Sequence, residues 1–367
     1  MLEGIIRENV ALAPQTTIGL GGRARYFAGC GSVEALRVCL TWAGEKGLPV
    51  QVLGGGSNII FADDGFGGLV LKVDLPGMTF CEAGKWDRVT VGAGQNWDAL
   101  VEACVGRGLA GVECLAGIPG QVGATPIQNV GAYGQEVAET IAQVRALDRQ
   151  SLDEVVFDTA ACGFGYRHSR FKGADRDRYI VTEVDFRLRR QGRPSLAYPE
   201  LRRHVKARVD LDALESGSPV LGAVREAVLA LRRSKSMVVD PVDPDSRSAG
   251  SFFLNPLLSR QGFAALERMV GDGAPVPTFA AAGGIKVPAA WLVEQAGFAK
   301  GFRRGGVGIS SHHALALINR GGSAAELLSL AADIEHTVRE KFGVDLEREP
   351  VVVQGLKRHS GSSAPWR

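Results

Sequence analysis

Apolar residues recur at helical spacing from Val33 to Gly44, which predicts an amphipathic helix. The run LPVQVLGGGSN after it predicts a short buried strand entering a glycine turn, and GLVLKVD, residues 68–74, predicts a second strand. RVTVGAG predicts a strand and Trp97 to Leu109 an amphipathic helix. Strand patterns return at 141–148, 153–158 and 178–189. Residues 205–218 are mixed and turn-rich, a candidate boundary. VLGAVREAVLALRRSK then predicts a helix, and DPVDPDSRSAGSFFLNP a long irregular segment. The clearest late pattern runs from Ser323 to Phe342. Ser323 and Glu326 form a capping box, and Ala324, Leu327, Leu328, Ala331, Ile334 and Val338 form the apolar stripe. LEREPVVVQ reads as a closing strand, and GLKRHSGSSAPWR as a frayed tail.

Composition narrows the class. A chain of 367 residues implies two or three domains. With 45% hydrophobic and 22% charged residues it is globular, not disordered. Lys plus Arg is 42 and Asp plus Glu is 40, a net charge of +2, which argues against a general nucleic-acid or membrane-surface binder. Cys30, Cys39, Cys81, Cys104, Cys114 and Cys162 form no CxxC pair and no cluster with histidine, so no metal site is expected. Scattered thiols fit a reducing cytoplasm. The opening MLEGIIRENVALAPQT carries early acids and is not expected to be a signal peptide. No apolar run reaches membrane-spanning length. These features lead to the expectation of a soluble cytoplasmic enzyme.

Two glycine-rich stretches carry candidate chemistry. Gly54, Gly55, Gly56, Ser57 and Asn58 follow a buried strand, where backbone N–H groups can turn toward a diphosphate. Alone, such a triplet reads first as a tight strand-to-helix turn. GVECLAGIPGQVGATPIQNVGAYGQE, residues 111–136, is glycine-dense and almost uncharged, a pattern suited to backbone packed on a ligand. Together the two loops suit a dinucleotide cofactor. Arg167 lies in YRHSRFK with Lys172 nearby, either a carboxylate-binding fork or a surface basic cluster. Ser251 sits between a glycine and two phenylalanines, either a shielded proton donor or a turn serine. Glu347 and Glu349 share a face at period two. His312 and His313 are read as structural or peripheral, since neighbours on a strand face opposite ways.

GGGSN, GIPGQVGATPIQNVGAYG, YRHSRFK, SAGSFFLNP and LERE occur in this order over residues 10 to 354. The combination closely resembles the UDP-N-acetylenolpyruvoylglucosamine reductase family, also called UDP-N-acetylmuramate dehydrogenases. LAYPEL, residues 196–201, resembles the substrate loop of the first of its two types. Ser248 stands where the family often has asparagine, and Leu254 where it often has lysine.

The resemblance implies an α+β fold: a two-part FAD-binding fold of the vanillyl-alcohol-oxidase-like type plus a separate α+β substrate-binding domain. The implied boundaries are residues 1–78 for the first FAD-binding subdomain, with a C-terminal return at 343–358, then 79–216 for the second and 217–342 for the substrate domain. Residues 359–367 would form a flexible tail. The implied reaction moves hydride from NADPH through FAD to the enolpyruvyl ether of UDP-N-acetylglucosamine enolpyruvate, giving UDP-N-acetylmuramate for peptidoglycan. The catalytic roles fall on Arg167, Ser251 as proton donor, and Glu349. FAD contacts fall on Gly54, Gly55, Gly56, Ser57, Asn58, Ile118, Pro119, Gly120, Gly123, Ala124, Gly131 and Arg232. Substrate contacts fall on Tyr198, Lys235, Asn255 and Gln295. A monomer is favoured, with no nucleic-acid or membrane partner. The competing expectation is another flavin oxidoreductase of the same FAD-binding fold, acting on an alcohol or sugar.

Overall fold

The computed structural model describes residues 4–210, 213–271, 275–281 and 283–354. The expected flexible tail, and the last residues of the expected C-terminal return, lie outside the described residues.

The N-terminal part builds a four-stranded sheet ordered Ile6–Ala11, Arg23–Cys30, Phe66–Val73, Val50–Leu53. Helix α1 (Val33–Glu45) packs on it. Ser32 starts α1 by accepting from Ala35 N–H, and Leu36, Cys39, Leu40 and Ala43 face the core. The second part is an antiparallel sheet ordered Glu154–Asp158, Ile141–Asp148, Tyr179–Arg190, Trp86–Gly92, Met78–Ala83. Helix α2 (Trp97–Gly106) begins at Asn96, whose side chain accepts from Ala99 N–H. The two parts share one hydrophobic core, in which Ala28, Leu36 and Leu71 meet Val89, Leu100 and Phe186.

The short helix α3 (Pro199–Lys206) opens with proline in its first turn, where no intrahelical donor is lost. This turns LAYPEL into a helix start with Tyr198 at the N-cap. Helix α4 (Ser218–Arg233) corresponds to the predicted 220–235 pattern. The sequence reading assigns it to the substrate domain. Its stripe of Val220, Leu221, Val224, Val228 and Leu231 instead joins the core around α2 and the second sheet.

A separate core, built mainly from residues 249–344, contains α5 (Arg260–Val270), α6 (Ala289–Gln295) and α7 (Ala324–Phe342). The Ser323–Glu326 capping box on α7 is present, and the helix ends at Gly343 in a left-handed conformation. The C-terminal strand Val351–Val353 pairs in parallel with Ile59–Phe61, returning the chain to its first part. Among the described residues, no helix is long and apolar enough to cross a membrane. The segment 248–254 lies where these parts meet. Ser248 bridges to Ile318, Phe252 N–H donates to Leu315, and Phe253 bridges to Arg348.

Candidate active site

Backbone pairing brings Ser251 and Glu349 together across almost a hundred residues. Glu349 N–H donates to the Phe252 carbonyl at 2.9 Å, and Leu254 N–H to the Glu347 carbonyl at 2.9 Å. The two glutamates of the period-two pattern separate: Glu347 is exposed, whereas the Glu349 side chain is only 15% exposed. Gln128 Nε2 donates to Glu349 Oε1 at 3.1 Å, and Arg167 Nε lies 3.7 Å from the same oxygen. Burial pushes the Glu349 carboxyl above its ordinary range, against the opposing pull of Arg167, Lys172 and the Gln128 hydrogen bond.

Arg167 is fixed from behind. Its guanidinium donates to the Gly131 carbonyl and, at 3.5 Å, to the Asn129 carbonyl. Arg167, Asn129 and Tyr133 all have positive φ, at 50°, 47° and 51°. Such conformations persist where surrounding contacts over-determine them. Asn129 is 1% exposed and supplies those contacts: its amide donates to Glu136 and Gly165, and its oxygen accepts from Ala138 N–H.

The expected substrate residues spread around this centre. Lys235 Nζ binds both carboxylate oxygens of Glu200 at 2.8 Å. Tyr198 stacks edge-on against Tyr133 with centroids 5.6 Å apart. Asn255 Oδ1 accepts from Ala289 N–H, capping α6 and leaving its NH₂ as the donating end. Gln295 is exposed at the last turn of α6. The structure does not draw it into the hydrogen-bonded centre. The turn at 310–316 does reach that centre, and His313 Nε2 lies 3.2 Å from Ser251 Oγ. Strand alternation in the sequence predicts a structural or peripheral His313. It sits on a turn between strands Val307–Ile309 and Leu317–Asn319, so that alternation does not apply.

The two glycine loops touch each other. A Cβ on Gly55 would lie 2.7 Å from Gly120 Cα, so only glycine lets the loops cross this closely. Gly56 has φ 68°, and a Cβ there would lie 2.9 Å from Thr16 Cα. The second loop is docked by backbone bonds from Trp97 to Gly120, Val122 to Gln95 and Gly123 to Ala93. Gly54 approaches Ala124, Ser57 lies under Gly120, and Ile118 packs against the main core. Asn58, expected at the diphosphate, instead donates to Gln128 Oε1 at 2.9 Å and to the Glu349 carbonyl at 3.3 Å. It braces the first loop to the Glu349 strand.

The first loop, through Gly55, borders a cavity of about 440 Å³, lined also by Gln15, Thr16, Thr17, Lys72, Asp240, Arg247 and neighbouring residues. That is small-molecule size, with the cations Lys72 and Arg247 and the anion Asp240 on its wall. Beside it, Pro119 and Arg232 line a small space with Ser248 and Gly250. Arg232 is 7% exposed, and its Nε and the Gln121 Oε1 are buried without a hydrogen-bond partner. The orphaned Arg232 Nε–H beside a glycine cradle fits a phosphate-bearing cofactor such as FAD, and the Gln121 acceptor fits a donor group of such a ligand.

Residues 24–151 match the family described as FAD binding domain, and residues 240–353 match UDP-N-acetylenolpyruvoylglucosamine reductase, C-terminal domain. A protein of Thermobifida fusca named UDP-N-acetylenolpyruvoylglucosamine reductase is 48% identical over 354 residues, covering 94% of this chain and 97% of its own. A protein of the same name from Mycolicibacterium smegmatis is 41% identical over 357 residues, covering 95% of each. The crystal structure of UDP-N-acetylenolpyruvylglucosamine reductase from Thermus caldophilus superposes with a TM-score of 0.63 at 27% identity, covering 95% of this chain and 99% of that one. The chain belongs to the UDP-N-acetylenolpyruvoylglucosamine reductase family.

Proposed function

We propose that this protein is a cytoplasmic enzyme that reduces the enolpyruvyl ether of UDP-N-acetylglucosamine enolpyruvate to UDP-N-acetylmuramate, using NADPH and FAD, for peptidoglycan synthesis and hence cell shape and division. The observation that carries this reading is the joining of Arg167, Ser251 and Glu349 at one junction by backbone pairing and side-chain contacts. Its wider support is family membership along nearly the whole chain.

FAD, when bound, supplies the two-electron relay between NADPH and the alkene. The crossed loops at Gly55 and Gly120, with Gly54, Gly56, Ser57, Ile118, Pro119, Gly123 and Ala124 around them, would hold it by backbone approach. Arg232 offers its unpaired Nε–H beside that cradle. Reduction of the alkene builds negative charge on the carbon beside the substrate carboxylate and on the carboxylate itself. Arg167, held rigidly by Gly131 and Asn129, is aimed to stabilise that charge. Glu349, its carboxyl pushed above the ordinary range by burial, lies beside Arg167 at the same centre. Ser251 protonates the carbon. Lys235 would exchange its Glu200 partner for the substrate diphosphate. Tyr198 covers the sugar nucleotide, and the Asn255 NH₂ offers it a hydrogen bond.

The protein is expected to carry one flavin per chain and to oxidise NADPH steadily only when the enolpyruvyl sugar nucleotide is present. NADPH consumption that ignores this compound and follows oxygen and an alcohol instead would contradict the reading.

A further inference from the structure

Serine is a weak acid, and a hydroxyl proton is free to rotate. A serine proton donor therefore needs a group that points its proton at the substrate and stabilises the oxygen once the proton has left. His313 occupies the place from which both can be done. Its Nε2 is 3.2 Å from Ser251 Oγ, and the Leu315 carbonyl two residues on grips Phe252 N–H at 2.7 Å, next to Ser251.

The turn that carries His313 is itself clamped. Asp245, 2% exposed, accepts from Ser311 N–H at 2.7 Å and from the Ser310 hydroxyl at 3.3 Å, and it pairs with Arg320. Ser310 Oγ in turn accepts from His312 N–H at 3.1 Å, and Ala316 N–H closes on the His313 carbonyl at 3.1 Å. The cations acting on His313 are Lys235, Lys300 and Arg232, and the anion is Glu200. Burial first, then these cations, pushes the imidazole down to about 4, so it is neutral at pH 7 and carries a single N–H. A bare Nε2 would accept the serine proton and turn it away from the substrate. An Nε2–H occupies a lone pair of Oγ, so the serine O–H turns away from the ring and the oxygen faces a donor.

Resting on the reductase reading above, we propose that His313 is a positioning residue for the protonation step, with Nε2–H donating to Ser251 Oγ. In that step the Oγ–H bond breaks and a C–H bond forms at the carbon beside the carboxylate, using the carbanion's electron pair. The former O–H pair remains on Oγ as an alkoxide held by Nε2–H. Water then returns a proton to Oγ, and the hydroxide left is neutralised by solvent.

The experiment compares the parent with His313→Ala and His313→Gln by stopped-flow absorbance. In both variants, flavin per chain, melting temperature and the rate of flavin reduction by NADPH should stay near the parent's. Reoxidation by the enolpyruvyl sugar nucleotide should slow by about 10²-fold in His313→Ala, as on loss of a donor to a developing oxyanion. The substrate KM should change less than threefold, on the order expected when uniform binding is untouched. His313→Gln, whose amide N–H can still face Oγ, should recover at least about tenfold of that loss. The solvent deuterium isotope effect on reoxidation should be larger in His313→Ala than in the parent. Parental reoxidation in His313→Ala, equal slowing in the two variants, or equal slowing of both half-reactions would overturn the proposal. A parent that is reduced by NADPH but not reoxidised by this substrate would overturn the reductase reading itself.

Discussion

The glycine cradle and the Ser251 junction are built by opposite means. The cradle is two contiguous loops, and its shape comes from missing side chains: Gly55 meets Gly120 where a Cβ on Gly55 would overlap the facing backbone, and Gly120 itself has φ 126°. The junction is made of present side chains drawn from distant segments: Gln128, Arg167, Ser251, His313 and Glu349. A cradle of backbone contacts fails as a unit when one atom is added. A junction of single side chains fails one function at a time. Asn58 joins the two, anchoring the first loop to Gln128 and the Glu349 backbone.

The largest effect should come from filling the cradle. Gly56→Val places a branched side chain at φ 68° and within 2.9 Å of Thr16 Cα. It should lose at least ~2 kcal/mol of stability, from backbone strain and steric overlap, together with its flavin. Denaturant midpoint and flavin absorbance per chain measure both. A stable, yellow Gly56→Val protein would break the contrast between the regions.

Arg167→Lys should leave flavin content intact and slow reoxidation by the enolpyruvyl substrate roughly 10²-fold. Lysine cannot reproduce a guanidinium held at two carbonyls and facing a carboxylate. Stopped-flow rates test this, and a simultaneous loss of flavin would place Arg167 with the cradle instead.

The smallest effect concerns Glu349 and pH. Burial holds its folded pKa above that of the unfolded chain, so folding favours the neutral acid. That contribution is complete below the unfolded carboxyl pKa and is lost as pH rises through the folded value. Glu349→Gln is neutral throughout. Its melting temperature relative to the parent should therefore rise from about pH 4 upward, the ordinary carboxyl range. Thermal melts across pH check it. A gap that is flat, or that moves the other way, would show that Arg167 outweighs burial.

The contrast also explains what was legible in the sequence. Local signals were sound: the α7 capping box appears as read, its stripe differs only in that Leu330 is buried and Leu328 half-buried, and the strand pattern at 141–148 matches Ile141–Asp148. The apolar stripe of α4 was visible, but a stripe says which face is buried and not against what, so its packing beside α2 was not. The glycine loops were legible as chemistry because their composition is contiguous. Arg167, Ser251 and Glu349 were legible only through family resemblance, since each alone reads as an ordinary surface or turn residue. His313 was missed because alternation was assumed where the chain makes a turn, and that turn is set by Asp245, far away in sequence. Gln128 was hidden inside a stretch read as a backbone loop, although its amide faces Glu349.

The central claim is that the Ser251 junction handles the proton while the cradle handles the cofactor. Ser251→Ala tests it most directly, with the two half-reactions followed separately by stopped-flow absorbance. The flavin should be reduced by NADPH at the parent's rate, and reoxidation by UDP-N-acetylglucosamine enolpyruvate should slow by roughly 10²–10⁴-fold, the range for a lost general acid. Reoxidation at the parent's rate, or equal slowing of both half-reactions, would contradict the account.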